Sequence, residues 1–439
     1  MTRFSRLITA RRFSLGLMLV IIFLLYLATI IPQQFDSTPE KITVWRQGHE
    51  SILGLIDAVR LHQIYSQPWF AVLVLCAALS LSVSSFTQLT IARNKLGTIS
   101  GGEYLASTLA KDELRTIALS WGFRFEYAGE SSRCCKFIKH PWGYFGIAML
   151  HVGMTLVILT SSYVALTSRQ GAVILIEGQL RGKQQSWDAA EHGVLSAVLQ
   201  MPESIRLDKV SVDFDEKQQP STVTSRITIT DETGSAEVLT PSINRIQQYR
   251  GVSIYHSSQY GDAFTVGFTD RNGIVHKEQI AVQQPVGPAM PGYSYDFRVL
   301  WSPHQFSAKY FADREKKTMR SDNPELTLRM LDGGREIART TLTKEANGSL
   351  GEYRVDLLGV QKWSKLIFVD IKGMPIIFIG FAIIMLGGLL HYMTPPRELI
   401  GVSQPDGTFR VYWKATSFRE FYLEERDELL LAFKRGDTC

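Results

Sequence analysis

At 439 residues and a formal charge of +5, the chain has room for two or three domains, and its mean hydropathy near zero conceals a strongly segregated sequence. The surplus of Lys and Arg lies beside long apolar runs, where it would face anionic lipid headgroups, so nucleic acid is excluded as a partner.

Four uncharged apolar runs are each long enough to cross a hydrocarbon core of about 30 Å as a helix. After a basic N-terminus (1–12) with Arg3, Arg6, Arg11 and Arg12, the first runs from Phe13 to Ile31. It is too long for an ordinary signal core, and Ile30-Ile31-Pro32-Gln33 follows it in place of a small-residue cleavage site, so it reads as a transmembrane helix. The 32–68 connection holds Ile52, Leu55, Ile56, Val59 and Leu61 near a 3.6-residue period, which predicts a helix lying along the interface. Pro68 opens the second run, 69–91, where Ser80, Ser82, Ser84 and Ser85 let a neighbouring helix come close. In the 92–141 loop, Leu105 to Leu119 reads as a helix and Trp121 to Phe125 as an alternating strand, giving a small helix-plus-hairpin domain.

The third run, 142–167, is followed by a long stretch of different character, 168–373. Alternating or β-branched runs recur there: Val173–Glu177, Ile205–Phe214, Thr222–Thr230, Val252–His256, Phe264–Thr269, Tyr293–Trp301, Glu325–Leu331 and Glu352–Leu358. Turn clusters such as Asp270-Arg271-Asn272-Gly273 separate them, so an all-β domain, an antiparallel sandwich or open barrel, is expected. No dinucleotide fingerprint, phosphate loop, paired zinc ligands or nucleophile elbow occurs in it, which argues against a soluble catalytic site. A fourth run, 374–392, precedes a tail, 393–439.

Lys and Arg crowd the N-terminus, the 92–141 loop and the tail, while the 32–68 loop has only Lys41, Arg46 and Arg60. The positive-inside rule therefore puts both termini and the 92–141 loop in the cytoplasm (or stroma) and residues 168–373 outside. Cys76 falls in the second run, and Cys134, Cys135 and Cys439 on the cytoplasmic side. The outer domain has no cysteine, so it forms no disulfide and performs no thiol exchange; Cys134-Cys135 reads as an inert pair in a reducing compartment rather than a metal or redox pair.

One ionisable residue stands well inside a run. His151 lies near mid-depth in the third, with Tyr144, Ala148, Thr155 and Ser162 on its face and a separate stripe of Gly146, Gly153 and Thr160 suited to helix packing. A neutral imidazole there either bonds a neighbouring helix or coordinates a metal such as haem iron. His391, at the end of the fourth run, reads first as an interfacial residue, and His140 likewise; His49, His62, His192, His256, His276 and His304 read as ordinary surface or core residues.

Distributed motifs add to this reading. Arg12-Phe13-Ser14-Leu15 enters the first run, Ile31-Pro32-Gln33 leaves it, Pro68-Trp69-Phe70 opens the second, and His151-Val152-Gly153 lies in the third. Beyond come Arg169-Gln170-Gly171, Glu177-Gly178-Gln179, Ile205-Arg206-Leu207-Asp208, Tyr249-Arg250-Gly251, Tyr255-His256-Ser257-Ser258, and Pro375 with Gly380-Phe381. In order and spacing the chain resembles the ResB (CcsB) family of cytochrome c biogenesis proteins over most of its length. That resemblance implies a bacterial inner-membrane protein, with a thylakoid equivalent, serving the system II pathway as a non-catalytic or co-catalytic subunit. Its implied partners are a CcsA-like membrane protein with a tryptophan-rich haem-binding loop, apocytochrome c and a thioredoxin-like thiol reductant. The eight tryptophans here form no such cluster, so the chain should need that partner. The resemblance further implies that His151 is an axial haem ligand, with Arg169 and Arg250 as candidate propionate partners, and the fourth run's ending, His391-Tyr392-Met393-Thr394-Pro395-Pro396, departs from the family's basic ending and leaves His391 without an assigned role. The competing reading is an assembly scaffold that binds no haem; a sensor or a transporter finds no supporting motif or repeat.

Overall fold

Apolar runs of this length satisfy their backbone hydrogen bonds internally only as helices, and four such helices form: α1 (Arg11–Ile30), α4 (Pro68–Gly97), α6 (Gly146–Thr167) and α7 (Met374–Met393). Between α1 and α4 lie α2 (Pro39–Gln47) and α3 (Glu50–Val59), the latter carrying the predicted amphipathic pattern. The computed structural model describes residues 11–33, 37, 39–128, 134–216, 219–293, 297–344 and 347–436. Arg3, Arg6, Arg133, Cys439 and the centre of the Tyr293–Trp301 run lie outside the described residues. Contacts divide the chain into two compact units, one of residues 1–29, 67–165 and 373–439 and the other of residues 30–66 and 166–372.

In the second unit the strands Val252–Thr269 and Tyr353–Asp370 pair antiparallel along nearly their whole length and form a common spine. Arg169–Ile176 extends that sheet beside the later spine strand, and Val275–Gln283 beside the earlier one. At one end the spine packs on the sheet containing Ser204–Phe214 and Pro220–Thr230, burying Val173, Leu175, Ile205, Leu207, Ile227, Leu366 and Phe368. At the other it packs on the sheet of Gln305–Phe311, Glu325–Asp332 and Arg335–Leu342, burying Phe264, Phe268, Phe306, Tyr310, Leu326 and Leu328. The all-β expectation is met by two sandwiches that share one strand pair. Of the expected strand Tyr293–Trp301, the described residues show Gly292–Tyr293 and Phe297–Arg298 as short strands, both held by Gln305–Phe311.

In the first unit, hydroxyls and glycines join the long helices. Ser14 and Ser80 hydroxyls meet at 2.7 Å between α1 and α4, and those of Ser85 and Thr155 at 3.0 Å between α4 and α6. The α6–α7 contact has no side chains to spare: a Cβ on Gly153 would stand 2.8 Å from the Gly380 carbonyl, and one on Gly387 would stand 2.7 Å from the Leu150 amide. The small-residue stripe read from the sequence thus has its counterpart in Gly380 and Gly387, so backbones approach as lipid-embedded helices require. The outward faces keep Leu15, Leu19, Phe23, Val72, Phe378 and Met385 exposed, a surface suited to acyl chains.

The same unit carries a small α/β module that revises two expectations. The predicted helix Leu105–Leu119 is a strand, Glu103–Leu109, followed by α5 (Lys111–Ser120). Leu105 is buried and Tyr104 exposed, a period-2 pattern that pairing with Phe409–Ala415 selects over local helix propensity. Trp121 and Gly122 close α5, with Gly122 at φ +85°, and the strand predicted at Trp121 begins only at Phe125. The hairpin Phe125–Ala128 and Cys134–Lys139 is no independent domain either. Two strands of the tail, Arg397–Ser403 and Phe409–Ala415, complete a five-stranded sheet with it, and α8 (Leu423–Gly436) supplies Leu429 and Phe433 to its core.

A buried ion pair fastens this module to the helices. Lys136, fully buried, donates to the Lys95 and Thr98 carbonyls at 2.7 and 3.0 Å, satisfying the open C-terminal end of α4 where the helix dipole is negative. Its ammonium lies 3.1 Å from Glu398, just after α7, and Glu398 accepts the hydroxyl of Tyr144 at the start of the third span. Burial pulls the Lys136 pKa below the ordinary lysine range and Glu398 pulls it back up. Removing either charge strands the other, so Lys136→Met and Glu398→Leu should each cost about 3–5 kcal/mol, while the double replacement costs much less than their sum. Thermal unfolding of the detergent-solubilised chain checks this, and melting points that simply add would refute the coupling.

Candidate functional site

On α6 the residues Ala148, His151, Thr155 and Ser162 follow one another at intervals of three, four and seven, which puts them in one seam along the helix. Ala148 and Ser162 are buried, and Thr155 reaches Ser85 of α4. His151 is half-buried in this seam. Its Nδ1 lies 2.9 Å from the Ile147 carbonyl, one turn back on its own helix. A carbonyl only accepts, so the proton is assigned to Nδ1 and the lone pair to Nε2. Nε2 makes no hydrogen bond among the described residues. A ring oriented by an Nδ1–H to backbone carbonyl bond, with Nε2 free, is the arrangement that metal-ligating histidines use.

The facing helix contributes a group that the sequence reading passed over. On α4 the buried Ala78, Ser85 and Ala92 recur every seven residues and make the opposing seam. The helices are antiparallel, since Ser85 meets Thr155 while Ala92 packs with Tyr144 at the start of the third span. Counting one turn from the Ser85–Thr155 contact brings Gln88 of α4 level with His151 of α6. The Gln88 side chain makes no hydrogen bond among the described residues, and an uncommitted amide at this depth is as costly as an imidazole. Gln is uncharged, so a search for ionisable intramembrane residues does not find it; a search for any strong hydrogen-bonding side chain in the runs would.

His391 is not part of that layer. Its backbone packs on Gly146, and its ring meets Tyr392 and Phe418 at centroid distances of 4.8 and 5.9 Å, at the end of α7. Arg169 and Arg250 belong to the other unit, and both guanidinium groups already have carboxylates. Arg169 grips Asp370 through Nε, at 3.0 Å, and Nη2, closing the foot of the β domain where their strands pair. Arg250, in a left-handed turn at φ +50°, bonds Asp231 and lies over the Tyr249 ring. Among the described residues no cluster of three or more His, Cys, Asp or Glu could hold a metal ion. Cys135 is buried, which raises its thiol pKa, and donates to the Gly401 carbonyl, as an inert cysteine would.

Four helices long and apolar enough to cross a membrane, one of them carrying a histidine whose Nε2 makes no hydrogen bond among the described residues, together with an all-β domain, define the class: a membrane protein with a large antiparallel β domain. The chain matches the ResB-like family over residues 11–96 and 112–411 and belongs to it. It is 21% identical over 409 residues to the cytochrome c biogenesis protein CcsB of Prochlorococcus marinus (strain NATL1A), covering 89% of each chain.

Several of the motifs that carry the resemblance have structural work in the β domain. A Cβ on Gly171 would collide with the ring of Trp187, whose Nε1 bonds the Leu199 carbonyl at 2.7 Å. Glu177 accepts the backbone N–H groups of Val210 and Lys362, tying three strands at the point where the chain leaves the spine sheet. His256, 4% exposed, uses both ring nitrogens: Nε2 is 2.9 Å from the Ser225 hydroxyl and Nδ1 is 2.6 Å from the Ser257 carbonyl, and Ser225 in turn meets Ser364 at 2.8 Å. With Ser225 wholly buried, this is a sealed core network and not a nucleophile–base pair.

Burial lowers the His256 pKa, so the unfolded chain, titrating near about 6.5, takes up this proton before the folded one does. The stability that the neutral ring contributes is therefore present above that pH and is lost as pH falls through the lower folded value. Hydrogen-exchange protection of Pro220–Thr230 and Val252–Thr269, referred to the intrinsic amide rate at each pH, should fall across that acid range in the wild type. His256→Ala should remove this dependence and cost about 1–3 kcal/mol at neutral pH, leaving the buried Ser225 hydroxyl and the Ser257 carbonyl each short of a partner.

Proposed function

We propose that this protein holds haem within the membrane through His151 while haem is carried to c-type cytochromes for covalent attachment. The observation that carries the proposal is the His151 ring, oriented by Ile147 and with Nε2 uncommitted in a seam of small residues. Membership of the ResB-like family and the likeness to a cytochrome c biogenesis protein support it.

The lone imidazole supplies one axial nitrogen, so the second comes from a partner, for which a CcsA-like protein with a tryptophan-rich haem-binding loop is proposed. The Lys- and Arg-rich side of the bundle lies in the cytoplasm, where haem enters, and the β domain lies outside, in the bacterial inner membrane or its thylakoid counterpart. On that outer side two reduced thiols of an apocytochrome, kept reduced by a thioredoxin-like protein, add across the two haem vinyl groups. Each addition forms one C–S bond and places the thiol hydrogen on the neighbouring carbon, so no electrons are exchanged with a co-reactant. The β domain has no cysteine and takes no part in that exchange. Gln88, level with His151, is proposed to hydrogen-bond the cargo in the same layer.

The test is the absorption spectrum of the chain purified with its partner. His151→Gly should abolish the bis-imidazole signature and lower haem retention by more than about tenfold, with added imidazole restoring the spectrum; Gln88→Leu should keep the ligation and weaken retention by less. A spectrum unchanged in His151→Gly overturns the ligand assignment. A complex that supports cytochrome assembly without ever retaining haem overturns the carriage reading in favour of a scaffold.

A further inference from the structure

The small α/β module returns to the end of the bundle through a turn that no role above requires. Thr416 to Tyr422 follows the last strand of the module's sheet, and within it Phe418 adopts a left-handed backbone, φ +53°, at the entry to a short 3-10 helix, Arg419–Tyr422. An aromatic residue is strained there. The conformation lays the Phe418 ring on the last turn of α7, 5.7 Å from Tyr392 and 5.9 Å from His391 by ring centroids, and sets Phe421 6.5 Å from Phe418. Phe421 is 82% exposed, and Tyr392, Met393 and Trp142 are exposed beside it. Trp142 belongs to this level because Gly143 packs directly on the Thr394 carbonyl and Pro396.

We infer that the Phe418–Phe421 turn is a monotopic anchor: a non-spanning segment that seats the module in the headgroup–acyl boundary of the bilayer, continuing the aromatic belt formed by Trp142 and Tyr392. Depth is fixed by contact with the span itself, since Phe418 packs on residues that close the apolar helix α7. The attraction is apolar, because the cations around the turn are spoken for. Arg419 pairs with Glu103 at 2.5 Å, Arg397 with Glu425 at 2.5 Å while lying over the Tyr422 ring, and Lys139 with Glu425 at 3.0 Å. Exposed phenyl rings whose cationic neighbours are already engaged by carboxylates favour an interface that wets one side of a ring and buries the other. The bilayer is the occupant because this surface is continuous with the lipid-facing surface of α7.

The experiment reads depth in the full chain, reconstituted in phosphatidylcholine. A nitroxide is placed at Phe421→Cys, and for comparison at Asp406→Cys on the module's exposed Gln404–Thr408 turn, in a background with the native cysteines replaced by serine. Oxygen collisions should exceed those of a water-soluble nickel chelate at 421, and the order should reverse at 406. Adding anionic lipid or salt should leave the 421 ratio unchanged. Equal ratios at the two sites, or a 421 ratio that follows lipid charge, overturns the anchor. The native chain gives a second reading free of the cysteine replacements: phosphatidylcholine with a diazirine near its glycerol end should leave adducts on residues 417–423, lost in the Phe418→Ser/Phe421→Ser chain. Adducts on α7 without any on 417–423 would overturn it, and so would protection of that turn only when a soluble protein is added.

Discussion

A lysine ammonium with no exposed surface holds the end of one membrane helix, the start of a second and the exit of a third. Lys136 reaches the last carbonyls of α4, Glu398 follows α7, and Tyr144 on Glu398 precedes α6. Each charge alone would cost several kcal/mol to bury, and each is tolerable only because the other is there. Glycine contacts between α6 and α7 set how close two helices stand but leave sliding along their axes weakly determined. The ion pair removes that freedom, because a slip of one residue would break three polar contacts in a place where no water can replace them. The level of His151 against Gln88 is therefore determined some distance away, at the end of the bundle where these strands begin.

The same economics explain why the strand Cys134–Lys139 and the tail belong to one sheet. Helix ends leave carbonyls unsatisfied, and a structured module can deliver a cation to them with fixed geometry where a mobile loop could not. The five-stranded sheet places Lys136 and Glu398 on adjoining strands, paired through Ile138 and Lys139 against Glu398 and Arg397. Glu425 of α8 then bridges Lys139 and Arg397, so the next pair of charges along the sheet is also satisfied from within the module. The cost of ordering the module is thus shared between its own core, where Trp413, Phe137 and Phe433 are buried, and the helices it registers.

Much of this was legible in the sequence because its signals are local. Uninterrupted apolar runs announce the four spans, alternation with turn clusters announces the β domain, and the period-7 glycines announce a close helix contact. What was not legible depends on distant partners. Leu105 to Leu109 has a helix-compatible composition and becomes a strand only because Phe409–Ala415 lies beside it, some three hundred residues later in the chain. Arg169 and Arg250 look like free cations until Asp370 and Asp231 are brought to them. Gln88 escaped because charge, rather than hydrogen-bonding demand, was the criterion applied to the apolar runs, and the antiparallel register that brings it level with His151 cannot be counted from one helix.

Two histidines show how differently the fold treats the same side chain. His256 sits in a β core where both ring nitrogens find oxygen, so its chemistry is exhausted by the network that buries it. His151 sits among helices that could have offered it a second oxygen: Thr155 is one turn away on its own helix and Ser85 lies on the next, yet the two hydroxyls bond each other, and Thr155 also bonds back to the His151 carbonyl. These two hydroxyls are thereby consumed, and Nε2 bonds neither of them. In a medium that penalises every unpaired polar atom, an arrangement that satisfies its hydroxyls and orients one ring nitrogen while withholding a partner from the other is more costly than one that pairs all of them. On the reading proposed above, the missing partner arrives from elsewhere as a metal centre, which a neutral imidazole nitrogen binds well.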